Sequence, residues 1–112
     1  MEQIRDLTSK QCKPIENGTP PLSQAGIDQL IQQIDGWQQH GQLIAKTCRF
    51  KDYYQTIAFV NAVAWMTHRE DHHPNLTVTY NSCMVEYSTH AVGGLSENDF
   101  ICAAKVDALL KI

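Results

Sequence analysis

The sequence predicts a single α+β domain in the order αββαββα, with a four-stranded antiparallel sheet and its helices on one face. Three observations lead there. The 112 residues fill one core of ordinary size, because single domains commonly take about 100 to 200 residues, and they leave no room for a second. Two segments show the period-two alternation of strands, and each carries a turn signal near its middle, which makes two hairpins. The stretch between the hairpins reads as a helix, so strands pair with their chain neighbours and the sheet is antiparallel.

Residues 1–21 contain Pro14, Gly18, Pro20 and Pro21 among polar residues without lasting periodicity. They read as an extended N-terminal arm, and residues 22–112 hold the domain. Ser23 is placed as an N-cap, after which Ile27, Leu30, Ile31 and Ile34 recur at helical spacing until Gly36 closes the pattern. The segment 37–50 is rich in alternating and β-branched residues around the turn signal His40-Gly41-Gln42.

Asp52 caps a second helix that runs about 18 residues, to the region of Arg69. Its apolar residues, from Tyr53 through Ile57, Phe59, Val63, Trp65 and Met66, wrap most of the circumference, whereas the surface helix of a monomer needs a stripe only about 100° wide. That excess predicts a homo-oligomer, a dimer or a dimer of dimers, joined around Phe59, Val63 and Met66. A central helix covered on both sides by its own small domain is the alternative.

After Pro74, Leu76, Val78 and Tyr80 alternate with Thr77 and Thr79, and Cys83, Val85 and Tyr87 alternate with Met84 and Glu86. Asn81-Ser82 fits a two-residue loop between them. Ser96 then caps a last helix through Leu110, with Phe100, Ala103, Ala104 and Val106 available for its buried side.

Hydrophobic residues make up 43% and charged residues 19%, so the chain buries a core without disulfide or metal staples. Nine basic against twelve acidic residues give a net charge of -3, with no like-charge run beyond Glu70-Asp71, which argues against nucleic-acid binding. No apolar stretch approaches the roughly 20 residues that span a bilayer, and residues 1–12 lack a signal-peptide core, so a cytoplasmic location is expected. Cys12, Cys48, Cys83 and Cys102 contain no C-x-x-C pair, and read as small buried thiols.

A two-residue loop at 81 and 82 pairs residues whose numbers sum to 163, which places Leu76, Val78 and Tyr80 opposite Tyr87, Val85 and Cys83 on one face. Continued outward, the same register sets His73 opposite His90 and gathers His72, His73 and His90 at one end of the hairpin. Imidazole is the side chain that both gives and takes protons readily near neutrality, so this cluster points to acid–base chemistry. The competing reading is a metal site, since His68 and His72 lie one helical turn apart. However, Arg69 stands where the H-E-x-x-H motif requires Glu, and no nucleophile elbow or phosphate loop is present. His40 stands apart and reads as a surface residue.

The string His68-Arg69-Glu70-Asp71-His72-His73-Pro74, followed by Tyr80, Ser88-Thr89-His90 and Gly94-Leu95-Ser96-Glu97-Asn98-Asp99, closely resembles the pterin-4a-carbinolamine dehydratase (4a-hydroxytetrahydrobiopterin dehydratase) family. The resemblance runs from about residue 50 to the C-terminus, leaves the first 20 residues outside, and agrees with the αββαββα order. It implies dehydration of a 4a-hydroxytetrahydropterin, left by an aromatic amino-acid hydroxylase, to quinonoid dihydropterin, with neither metal nor cofactor.

By the same resemblance His72 is the base, and His73 and His90 are acids serving opposite stereochemistries of the hydroxyl, although exchanged roles fit equally. Asp71, His72 and His73 with Ser88, Thr89, His90 and Ala91 resemble the pterin-holding segments. Asp99 matches an acidic position of the family motif and also completes a capping box from Ser96. His68 replaces a Glu found in many members, which removes a carboxylate that could orient an imidazole. Animal relatives also act as dimerisation partners of a transcription factor, so a non-catalytic binding role is the second function class.

Overall fold

The computed structural model describes residues 7–111; the first six residues of the expected arm and the last residue of the domain lie outside the described residues. The order is helix α1 (Gln24–Ile31), strands β1 (Gln38–His40) and β2 (Leu43–Arg49), helix α2 (Tyr53–Glu70), strands β3 (Asn75–Val78) and β4 (Ser82–Tyr87), and helix α3 (Glu97–Leu109). The sheet is antiparallel throughout, in the order β1-β2-β4-β3, as the two-hairpin reading requires.

The expected N-caps form. The Ser23 hydroxyl accepts from the Gly26 N–H and the Asp52 carboxylate accepts from the Gln55 N–H, each satisfying a donor that the first helical turn leaves free. Helix α1 ends at Ile31, short of Gly36, and the intervening residues form turns that reach Gly36 at φ 82°. The first hairpin turns at Gly41-Gln42, with Gly41 at φ 62° supplying the left-handed backbone that a tight loop needs.

The second hairpin corrects the expected register. Asn75 pairs Glu86, Leu76 pairs Val85 and Val78 pairs Cys83, so paired numbers sum to 161 rather than 163. The Thr79 N–H donates to the Ser82 carbonyl, and the two hydroxyls bond at 2.6 Å, which moves the two-residue loop to Tyr80-Asn81. A slip of two residues returns every side chain to the same face, so alternation alone does not separate the two registers.

Cys83, Val85 and Tyr87 of β4 and Ile44 and Cys48 of β2 form the inner face of the sheet, and the helices pack against it. Helix α3 is the central one. It buries residues around most of its girth, from Asn98 through Ala104 and on to Val106 and Asp107. Helix α2 instead buries one stripe, Thr56, Phe59, Val63, Met66 and Thr67. Phe59, Val63 and Met66 therefore belong to the core of their own chain and are not free for a partner, while Tyr53, Tyr54 and Trp65 remain exposed.

The segment before α1 lies across α3. Leu7 is buried in the core, the Lys13 N–H donates to the Asn98 side chain, and the Asn98 amide donates back to the Lys13 carbonyl. At the opposite end of α3, Asp107 accepts from the Asp35 N–H, the Trp37 indole N–H and the Lys46 ammonium, which ties the entry to β1 onto the helix.

Candidate active site

The site is built where α2 ends, where β4 ends and where α3 begins. Helix α2 stops because Asp71 takes the left-handed conformation, φ 55° and ψ 40°, which Asp tolerates better than most residues. The chain then passes through His72, His73 and Pro74 into β3. Beyond β4, the Thr89 N–H donates to the Gly94 carbonyl, closing a tight loop that holds a 3-10 turn over His90–Val92 and Gly93 at φ 68°.

Asp99 joins these two segments. It is 0% exposed in the first turn of α3, and its two oxygens accept three hydrogen bonds. Oδ2 takes the Ser96 N–H at 3.0 Å, the capping-box bond expected from the spacing, and also the Thr89 hydroxyl at 2.7 Å. Oδ1 lies 2.6 Å from His72 Nε2. Because the single Thr89 hydroxyl proton goes to the carboxylate, the Ser96 hydroxyl, 2.7 Å away, donates to Thr89 Oγ1.

An ionised carboxylate only accepts, so this arrangement assigns the proton of neutral His72 to Nε2 and leaves the lone pair on Nδ1. No described residue bonds Nδ1. The imidazole also lies parallel to the Tyr87 ring, with centroids 5.6 Å apart and planes at 15°. The His72 carbonyl accepts from the Cys102 thiol at 3.8 Å, so ring and backbone are both held from the side of α3.

The other expected residues divide between two recesses. One, of about 240 Å³, is lined by Ala64, Thr67, His68, Asp71, His72 and His73. The other, of about 210 Å³, is lined by Gln42, Leu43, Ser88, Thr89, His90, Gly93 and Gly94. His73 and His90 are not cross-strand partners, because β3 begins at Asn75 and β4 ends at Tyr87, and neither histidine enters the ladder. Asp71, His73, Ser88, His90 and Ala91 are exposed, as is His68. Ala91 lines neither recess, and Asp99 connects the two through His72 and Thr89.

Sequence reasoning missed Tyr87, Cys102 and Cys12. Tyr87 is a core residue of β4 by alternation, and nothing local signals its stacking on an imidazole fifteen residues earlier. Its hydroxyl is buried with no hydrogen-bond partner among the described residues, and burial pushes it well above the ordinary phenol range. Cys12 and Cys102 bring their sulfurs to 3.5 Å, and that contact, followed by burial, pushes the Cys12 thiol up. Glu70 is pulled upward by burial, but the Cys12 N–H at 2.8 Å and the Lys105 ammonium at 3.2 Å outweigh this and hold it below the usual carboxylate range.

With this geometry in place, comparison with known proteins is decisive. The family model described as Pterin 4 alpha carbinolamine dehydratase matches residues 20–109. The chain belongs to that family. It is 66% identical over 109 residues to a protein of Nitrosospira multiformis named "Putative pterin-4-alpha-carbinolamine dehydratase", with 97% of this chain and 96% of that one covered. A protein of the same name from Nitrosomonas eutropha is 60% identical over 111 residues, with 98% of each covered.

Among solved structures, a transcriptional coactivator/pterin dehydratase from Brucella melitensis superposes with a TM-score of 0.77 at 28% identity, covering 80% of this chain and 97% of that one. A pterin dehydratase-like protein described as a RuBisCO assembly factor in the alpha-carboxysome gives 0.55, also at 28%, covering 65% and 84%. The αββαββα order is thus the fold of the pterin dehydratases, and the chain is a member of a lyase family.

Proposed function

We propose that the protein dehydrates a 4a-hydroxytetrahydropterin to quinonoid dihydropterin by histidine acid–base catalysis. The observation that carries this reading is the bond from His72 Nε2 to the buried Asp99 carboxylate, which leaves Nδ1 to accept a proton. In the reaction Nδ1 takes the N5 proton of the substrate, the C4a–O bond breaks, and the departing hydroxyl leaves as water after protonation by His73 or His90. These two stand in different recesses, which suits acids that serve opposite stereochemistries. Asp71, Ser88, Thr89 and Ala91 together with the three histidines hold the pterin. Proton transfer suffices, so the reaction takes neither metal nor cofactor.

The reading extends to the surroundings. The substrate comes from an aromatic amino-acid hydroxylase that has spent its pterin on oxygen, and the protein works in the cytoplasm as a homo-oligomer, a dimer or a dimer of dimers. Among the described residues no helix is long and apolar enough to cross a membrane. No three His, Cys, Asp or Glu side chains are grouped as a metal site among them either. Loss of activity in EDTA, restored by zinc, would revive the metal alternative.

The test is a dehydration assay on purified protein, read above the uncatalysed background. His72→Ala should lower the rate by about 100- to 10,000-fold, the range of a positioned acid or base, and remain folded. His73→Ala and His90→Ala should each cost less on a mixture of stereoisomers, and the double variant should nearly abolish catalysis. His40→Ala is the control. Wild-type rates in folded His72→Ala and in the folded double variant would sink the mechanism.

A second reading, a binding partner of another protein, is favoured by the exposed Tyr54 and Trp65 and by the descriptions of the two structural neighbours. It takes over if the folded chain leaves dehydration at background.

A further inference from the structure

We propose that Tyr87 is a positioning residue for His72, its ring fixing the plane of the imidazole so that Nε2 stays on Asp99 and Nδ1 stays free to accept a proton. The catalytic half of this inference rests on the dehydratase reading; the positioning half stands on geometry alone. Two constraints act on the imidazole, and one depends on the other. The Asp99 carboxylate, 2.6 Å from Nε2, decides which edge of the ring faces α3. A single hydrogen bond does not hold the plane of the ring, and an imidazole that swings out of that plane breaks the bond that keeps its proton on Nε2, because such bonds weaken steeply off axis.

The Tyr87 ring supplies the missing constraint. It is fully buried at the end of β4 and lies 15° from parallel with the imidazole, the two centroids 5.6 Å apart. Tyr87 cannot itself move to follow a tilting imidazole, because its other neighbours are core: the Trp37 ring lies 6.2 Å away, and Ile44 is its cross-strand partner. The hydroxyl does not account for the residue. Among the described residues it is buried without a hydrogen-bond partner, which is a cost to folding, so what Tyr87 contributes here is its ring face. The Cys102 thiol, donating to the His72 carbonyl, steadies the backbone that carries the imidazole.

The experiment compares wild type, Tyr87→Phe and Tyr87→Leu, first by long-range proton–nitrogen correlation spectra of the ligand-free protein at a pH above the ordinary imidazole range. Wild type and Tyr87→Phe should show His72 as one tautomer, protonated at Nε2, and Tyr87→Leu should show an averaged pattern. In the dehydration assay Tyr87→Leu should lose about 10- to 100-fold in kcat, the scale of a small misplacement of a reacting group. Its KM should stay within about twofold, and Phe should restore kcat, because the interaction acts on the chemical step.

Retention of kcat by folded Tyr87→Leu, or of its single tautomer, overturns the proposal. If that variant does not fold, wild type decides: the carbon-bound protons of His72 must be displaced upfield of those of His40 by the ring current of Tyr87, and their coincidence overturns it. A wild type that shows the locked tautomer, and loses it in Tyr87→Leu, yet dehydrates no pterin carbinolamine, would sustain the positioning role while removing the dehydratase reading.

Discussion

At the scale of single residues, Asp99 receives more donors than its amide analogue can satisfy. Three donors converge on two oxygens, and the Asn side chain would turn an NH2 toward one of those donors. Turned toward Thr89 and Ser96 in Asp99→Asn, that NH2 leaves buried donors unpaired at a cost of about 1 to 3 kcal/mol in stability. The amide can also donate to His72 Nε2, which moves the imidazole proton to Nδ1, where the proposed mechanism needs a lone pair. In serine proteases the corresponding tautomer error costs about 10,000-fold in kcat. A loss of 100-fold or more is expected here, at an unchanged fold by circular dichroism, with a denaturant midpoint lower than that of wild type.

At the scale of elements, the end of α2 is clamped to the N-terminal segment and to α3 through Glu70. Its carboxylate accepts from the Cys12 N–H and pairs with Lys105, whose ammonium also reaches the Thr8 carbonyl. These partners hold the Glu70 carboxyl below its ordinary range in the folded state. A depressed folded value means that the contribution to stability is fully present above the unfolded value, near ~4.3, and is lost as pH falls through the folded one. Glu70→Gln should accordingly lower the Tm at pH 7 by a few degrees, and the gap from wild type should narrow as the pH is taken below about 4. A gap independent of pH would mean that the clamp is held by shape and not by charge. Because Glu70 directly precedes Asp71 and His72, the variant also reports how far the site depends on this anchor.

For the whole molecule, the exposed side of α2 is the surface that a partner copy would cover under the proposed oligomer. Tyr54 is 82% exposed and Trp65 is 65% exposed, with the Arg69 guanidinium 5.0 Å from the centre of the Trp65 ring. Large exposed aromatic residues on one helix are the composition that interfaces favour. Tyr54→Glu with Trp65→Glu should shift the protein to monomer mass in sedimentation at micromolar concentration, with its secondary structure retained. Phe59→Ala, by contrast, removes a core side chain and should cost about 3 to 5 kcal/mol of stability. Monomer mass for the wild type would remove the oligomer from the reading.

Local pattern determined the α+β class, the element order, the Ser23 and Asp52 caps and the inward face of β4, because each depends on spacing within a few residues. The histidine motif was also legible, as were its resemblance to the pterin dehydratases and the capping-box spacing of Ser96 and Asp99. What lay beyond local pattern was decided in three dimensions. The hairpin register fell to 161 because a two-residue slip conserves every face. The helix buried around most of its girth proved to be α3, since the N-terminal segment, α1 and α2 all pack on it, and no helix pattern reveals which neighbours cover it. The bond from His72 to Asp99 and the stack on Tyr87 join residues 27 and 15 positions apart, so their geometry is set by how β4 and α3 meet. Spacing can name such residues, but only packing determines which atoms face each other.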